Sequence, residues 1–394
     1  MPSLPIRRNT ALLSGSLAMN SATQQLAAAV ASLTLVRVLH VQGLLGLGPA
    51  IVLGAGALVA LPAGLLMDRA GRVPVLVGGF CAGAAGCVLA ALGSAASSAP
   101  AVLGGLVLVG TANATALLSR TAAGDMYPPQ RRARGIALVL FGSVFGAILG
   151  PAVFSPLLAG RELAGGTLRT LWLAAAAFMV AGCAIVAFVR PDPKRIAALL
   201  AHEPGTRAPA AATTSAVDLP TLLRRPGVVP ALVAAQASFA VMVAVMTLTG
   251  AIVVDHHHEA AGTVFPIIGA HVIGMFGLIV VVGDLVDRIG RTPALAGGLL
   301  LMALSVISLL WVRSVAATAF VLFGLGLGWN LSFVAATAVL ADAAAAAERG
   351  KLLGFNDLLA GVTGAGLALL GGLALTALGV AALAIGGAAL VAAP

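Results

Sequence analysis

The chain has 394 residues, 60% of them hydrophobic and 9% charged, with a mean hydropathy of +1.09. A soluble domain carries about a quarter charged residues, so this composition excludes a water-soluble globule and selects a chain embedded in lipid. The net charge of +9 falls in short loops between apolar segments, and there is a single tyrosine, so no basic stripe with interleaved aromatics exists and a nucleic-acid partner is excluded too.

Twelve apolar segments are predicted to cross the bilayer, at 10–37, 44–66, 74–94, 100–122, 135–158, 168–190, 228–253, 262–282, 294–312, 315–340, 351–372 and 374–393. Each holds roughly 20 residues or more, enough at ~1.5 Å per residue to cross ~30 Å of hydrocarbon. The first follows MPSLPIRRNT without an A-x-A cleavage site, which predicts an uncleaved helix and no signal peptide. Gln24 and Gln25 fall about midway along it. Between the second and third segments runs GLLMDRAGRVPVL at 64–76, carrying Gly64, Asp68, Arg69, Gly71 and Arg72. A turn this tight needs glycine. The aspartate stands where it can meet a base or a helix N-terminus, and the arginines stay at headgroup level, free to pair across helix bundles. Cys81, Cys87 and Cys183 are an odd count inside apolar segments and read as small fillers, with no disulfide framework. The fourth segment contains Asn113 and leads to Asp125. The fifth repeats glycine at 142, 146 and 150 before Pro151, a small face for close helix approach.

Residues 191–227 are rich in Pro, Ala, Thr and basic residues and form the long polar break, with a short amphipathic helix expected at 218–225. The predicted organisation is therefore a bundle over 1–190, a linker over 191–227 and a second bundle over 228–394. Ahead of the eighth segment stands Asp255-His256-His257-His258-Glu259. A cation could bind such a run, but adjacent residues rarely converge on one ion, so a solvated loop is favoured and no metal site is expected. Within that segment His271 lies nine residues from the end, or ~14 Å in. The next turn, GDLVDRIGRTPAL at 283–295, holds Gly283, Asp287, Arg288, Gly290 and Arg291. The tenth segment carries Trp329 and Asn330 and ends at Asp342, and Asp357 lies about two turns into the eleventh.

The halves repeat. Asp68 maps onto Asp287 with an offset of 219, and the Asn113–Asp125 spacing of 12 recurs as Asn330–Asp342 with an offset of 217. A six-plus-six duplication is the simplest cause, and such duplication marks transporter folds. With the N-terminus placed in the cytoplasm, 18 of the 22 Lys and Arg fall on that side and only Arg37, Arg161, Arg169 and Arg313 on the other. That bias predicts both termini inside.

The two copies of G-x-L-x-D-R-x-G-R resemble the signature loop of the major facilitator superfamily, and the likeness covers the whole chain. The resemblance implies an all-α fold of two pseudo-symmetric six-helix bundles. It also implies a gating role for both loops, with Asp125 paired to Arg72 and Asp342 to Arg291. Residues 255–275 and 325–342 are similar to a bacterial, efflux-like subgroup. Gly146 to Pro151 resembles the G-x-x-x-G-P element of drug–proton antiporters, although Phe154 stands where a further glycine is usual. Tight helix packing accounts for it equally well. Proton antiporters of the superfamily carry an arginine early in the fourth helix. Here that stretch reads AVLGGLVLVG, so proton coupling through such an arginine is in doubt.

Polar groups in hydrocarbon are costly and mark function by default. Asn113 and Asn330 sit 12 residues inside their aspartates, ~18 Å and near the midplane. With Gln24, Gln25 and Trp329 they form the expected substrate site, Trp329 serving as a stacking surface or as packing. His271 and Asp357 are the titratable groups within the membrane outside the two loops, and are the expected proton carriers. No P-loop, C-x-x-C or H-E-x-x-H occurs, so no enzyme, ATP-driven pump or cofactor is expected. The reading is a proton-coupled exporter of a small, fairly apolar molecule working by alternating access. It is expected to be a monomer in the inner (cytoplasmic) membrane, with substrate, protons and lipid as its partners. An importer or facilitator is the alternative. A sensor or lipid-handling protein is a third class, disfavoured by the lack of a soluble signalling domain.

Overall fold

The computed structural model describes residues 5–39, 47–158, 164–201, 217–251, 270–312, 314–392 and 394. The first half consists of α1 (Ile6–Leu39), α2 (Leu47–Ala70), α3 (Arg72–Ala95), α4 (Ala99–Leu117), α5 (Ser119–Met126), α6 (Arg132–Leu140), α7 (Gly142–Leu158) and α8 (Gly165–Ala187). Two linker helices follow, α9 (Pro193–Ala201) and α10 (Leu219–Leu223). The second half has α11 (Val228–Ala251), a π turn over Ile273–Gly277 leading into α12 (Ile279–Ile289), then α13 (Arg291–Ser308), α14 (Val315–Asp342) and α15 (Arg349–Ala392).

Eight helices among the described residues are long and apolar enough to span a bilayer. Their outer surfaces suit lipid: Leu58, Ile148 and Phe320 are 74%, 65% and 76% exposed, a pattern water would not tolerate. Leu13, Leu17, Phe80 and Trp172 are buried between helices. The expected fourth and fifth spans each contain one irregular residue, Leu118 and Phe141, which divide them into α4–α5 and α6–α7. The expected helix at 218–225 is α10, capped by the Asp218 carboxylate on the Thr221 N–H (3.3 Å). In contrast, α9 lies within the polar stretch expected to be linker. Its start is set by Asp192, which accepts the Lys194 N–H (2.8 Å) just ahead of Pro193.

The boundary expected near residue 373 is not marked in the backbone. α15 is helical over all 44 residues, ~66 Å of helix and about twice the thickness of a hydrocarbon core. The segment holds no proline and no charge after Asp357 until Pro394, so nothing local ends the helix.

In the first half α1 packs on α7 and α8, and α3 lies between α4 and α8. In the second, α14 packs on α13 and α11, and α15 on α11 and α13. The halves meet along two seams, α2 against α15 and α6 against α12. Gly64 and Gly283, the leading glycines of the repeated loops, lie on these seams. A Cβ at Gly64 would collide with the Gly350 carbonyl, and one at Gly283 would come within 2.5 Å of the Ala137 Cβ. Substituting Gly64→Val is therefore expected to force α2 and α15 apart. The Gly350 and Lys351 amides should then exchange hydrogen at least about tenfold faster, the equivalent of ~1.4 kcal/mol. Unchanged protection of those amides by mass-resolved exchange would show that the seam does not depend on this contact.

Candidate functional site

Both repeated turns are built alike. Gly71 (φ 102°) and Gly290 (φ 93°) adopt backbone angles that side-chain-bearing residues rarely take, which lets α2 fold back into α3 and α12 into α13 within one residue. From the next position Arg72 reaches Asp125 (Nε to Oδ2, 2.6 Å), Asp68 (2.9 Å), the Met67 carbonyl (2.7 Å) and, across the halves, the Ala346 carbonyl. Arg291 repeats the pattern on Asp342 (3.2 Å), Asp287 (2.7 Å) and the Val286 carbonyl (3.4 Å), and crosses to the Pro129 carbonyl (2.6 Å). The two pairs implied by the family resemblance are thus in contact.

The aspartates of the loops bind the opposite half. Asp68 accepts the Gly350 N–H (3.0 Å) and Lys351 N–H (2.8 Å) at the start of α15. Asp287 accepts the Ala133 N–H (3.3 Å) and Arg134 N–H (2.9 Å) at the start of α6. Each carboxylate satisfies amides that a helix N-terminus leaves open and meets the positive end of its dipole. Two further arginines complete the network. Arg349 binds Asp125 (2.6 Å) and the Ala341 carbonyl (2.9 Å), while Arg132 binds Asp342 and the Gly124 carbonyl (3.1 Å). Asp125 and Asp342 each therefore hold one arginine of their own half and one of the other. Arg69 and Arg288 take no part: both are exposed. At the rim, Arg225 grips Glu348 with two nitrogens (2.7 and 3.0 Å). Burial works against the Glu348 carboxylate, but hydrogen bonds from Arg225 and the Ala345 N–H, with the charges of Arg225 and Lys351, hold its pKa below the ordinary value.

Deeper in, a second cross-half contact appears. Arg120 on α5 pairs with Asp357 on α15, and its guanidinium lies 4.8 Å from the centre of the Phe333 ring. Phe333 stacks on Trp329 (4.7 Å, 12°), which meets Phe276 edge-on (6.0 Å). Asn356 donates to Asp357 (3.3 Å) and receives the Gln236 amide (3.1 Å). Arg120 Nε and Asp357 Oδ2 have no partner among the described residues.

The expected substrate residues are placed unequally. Asn113 accepts the Asn20 amide (3.0 Å), whereas Asn330 is fully buried and neither of its side-chain polar atoms has a partner among the described residues. Gln24 is half-buried with its Nε2 unpaired among the described residues, while Gln25 is exposed and lies beside Gly150. His271 is buried, with Nδ1 on the Leu322 carbonyl (2.9 Å) and Nε2 without a partner among the described residues. Leu322 lies 20 residues from Asp342 along α14 and Asp357 eight residues from Arg349 along α15, depths of ~30 Å and ~12 Å from the arginine-rich end. His271 and Asp357 therefore do not share one site. Gly146 and Gly150 of α7, the glycines of the G-x-x-x-G-P-like element, lie against the Ala18 and Ala22 carbonyls of α1, so the element lies on a closely packed face. Residues 255–259 lie outside the described residues. The sequence reading missed Arg132, Arg349, Asn20, Gln236, Asn356 and the engagement of Arg120.

The sequence profile of the Major Facilitator Superfamily matches residues 13–369. The chain belongs to the major facilitator superfamily. Among curated members of the superfamily it is 32% identical over 339 residues to the uncharacterized MFS-type transporter YdeG of Bacillus subtilis, covering 83% of this chain and 76% of that one. It is also 32% identical over 306 residues to the riboflavin transporter RfnT of Brucella anthropi, covering 77% and 73%. Among solved structures the fold is similar to the proton:xylose symporter XylE (TM-score 0.75, 14% identity, 100% and 95% covered). It is likewise similar to the human organic anion transporter MFSD10 (TM-score 0.73, 16% identity, 99% and 98% covered). The chain is thus a multi-pass membrane protein of a superfamily of secondary transporters that work by alternating access.

Proposed function

We propose that this protein is a proton-coupled exporter of a small, planar, largely apolar molecule, acting as a monomer in the inner membrane with both termini in the cytoplasm. The bundles over 1–190 and 228–394 rock about a site between them, with 191–227 as their tether. The observation that carries this reading is the crossed network in which Asp125 binds Arg349 and Asp342 binds Arg132. Every one of these bonds must break for the arginine-rich side to open, and the repeat of the pattern in both halves makes it a latch for one state. The positive-inside bias puts that latch at the cytoplasmic face.

The substrate region is assigned to Asn20, Gln24, Asn113, Asn330 and the Trp329–Phe333 stack, with Gln25 at its edge. The name of the similar riboflavin transporter agrees with a planar ring against Trp329. Arg120 and Asp357 form the coupling pair: proton uptake by Asp357 frees Arg120 and unlocks the deeper cross-half contact. The pair substitutes for the arginine absent early in the fourth span. His271 lies apart from this pair, towards the far side. Reconstituted vesicles loaded with a compound panel, with a pH gradient imposed in either direction, test the reading. Proton-driven movement towards the acidic side supports export. Movement with the proton makes the protein an importer, and movement that ignores the gradient makes it a facilitator.

The two asparagines separate site from scaffold. Asn330→Leu removes a buried, unpaired amide, which costs about 1–3 kcal/mol when left unsatisfied. Stability should rise or hold while substrate affinity falls. Asn113→Leu strands the Asn20 amide, so stability should fall together with affinity. Thermal unfolding beside ligand titration checks both, and unchanged affinity in both variants would make them packing residues.

A further inference from the structure

Outside the gate, residues 187–195 cross the α2–α3 turn and leave a cleft of about 640 Å³. Its rim carries Arg69, Arg190 and Arg195, all exposed and none in an ion pair among the described residues. The one carboxylate in the lining, Asp192, is spent: it accepts the N–H groups of Arg72 (2.9 Å), Val73 (2.9 Å) and Lys194 (2.8 Å). Lys194 is spent too, its ammonium lying on the Asp68 and Arg69 carbonyls at the end of α2. Three arginines and Lys194 thus line one concavity with a single carboxylate among them, a net positive lining that favours an anion.

The surroundings say what kind of anion. The cleft sits where α2 and α8 leave the apolar layer, and Leu66 and Phe188, each within three residues of a rim arginine, are 52% and 69% exposed. Leu199, one turn beyond Arg195 on α9, is 55% exposed. A soluble phosphate would use the arginines alone, whereas a phospholipid uses both features, headgroup on cations and chains on the apolar skirt. We propose that this cleft binds the phosphodiester headgroup of an anionic phospholipid, its chains lying along Leu66 and Phe188. The bound headgroup bridges the end of α2 to the strap that caps α3 through Asp192, so the lipid steadies the turn from which Arg72 reaches the gate.

The test is native mass spectrometry of the full-length protein titrated with phosphatidylglycerol or phosphatidylcholine of matched chains, with inorganic phosphate as competitor. Phosphatidylglycerol should bind in preference, and phosphate should not displace it. The triple variant Arg69→Ala/Arg190→Ala/Arg195→Ala should lose roughly 100-fold in affinity, following about 1 kcal/mol for each cation near an anionic headgroup. A control triple, Arg131→Ala/Arg224→Ala/Arg288→Ala, removes the same charge from the same side and should change affinity less than about threefold, since screening confines each charge to its neighbourhood. Where the triple variant does not fold, Arg195→Glu alone, on the exposed face of α9, gives the same reading with a smaller loss. Equal losses in both triples, no preference for the anionic lipid, or full displacement by phosphate would each overturn the assignment, the last in favour of a soluble anion.

Discussion

Asp68→Asn is expected to cut transport by roughly 100-fold while the protein still inserts and folds. The carboxylate accepts three hydrogen bonds, two from amides of the opposite half and one from Arg72. An asparagine of the same shape offers one oxygen and turns an NH2 towards donors. A hydrogen bond to a charged group contributes about 1.5–3 kcal/mol; with its oxygen at the Oδ1 position the asparagine loses the Lys351 bond outright and keeps the Gly350 and Arg72 bonds only as weaker neutral ones, so the closed state weakens by about 3 kcal/mol, or about two powers of ten in population. A transporter must visit both states in each cycle, and removing one stalls it. Flux in proteoliposomes, set against monodispersity of the purified variant, measures the effect. A normal rate in a folded variant would remove Asp68 from the gate. Asp287→Asn should be milder, because one of its two amide contacts is long at 3.3 Å.

The second large effect is expected at Asp357. Asp357→Asn leaves the Arg120 guanidinium, 1% exposed, facing a neutral amide, and breaking a buried pair from one side costs about 3–5 kcal/mol. The proposed proton carrier is lost as well. Downhill movement of substrate should continue, and accumulation driven by an imposed pH gradient should vanish. Asp357→Glu should restore part of it. His271→Gln, some ~18 Å away in depth by helical rise, should keep accumulation and shift only its pH optimum. Should Asp357→Asn concentrate substrate as well as the parent, the pair is structural and another coupling ion or simple facilitation becomes the account.

The helices were legible because lipid leaves a coarse signal: runs of apolar residues broken by Gly, Pro and charge. The gate was half legible. The repeated loops announced Asp68, Arg72, Asp287 and Arg291, and the 217-residue offset tied Asp125 to Asp342. The same offset carries Arg132 onto Arg349, so the crossing arginines were within reach, but a side count of cations treats every loop arginine as solvated. Arg120 and Asp357 were not legible as a pair. They are single residues 237 positions apart in different halves, and no local pattern states that two bundles will bring them together. Asn20 and Gln236 gave the same signal as Gln24, a lone amide in an apolar helix, and only packing distinguishes the bonded from the free. The start of α9 was written in Asp192-Pro193, a cap before a proline, and was hidden by the polar composition of the stretch around it.

The arginine-rich side is expected to open and close as one latch. The most direct measurement is the distance between spin labels at Ala70 on α2 and Ala347 beside α15, both exposed, in a variant with Cys81, Cys87 and Cys183 replaced by serine. In lipid vesicles the parent should show a short distance matching the closed network and a second, longer one. Asp68→Asn should shift the population strongly to the longer distance. A single short distance in the parent and in Asp68→Asn, at every pH and with every compound that the protein moves, would contradict the account.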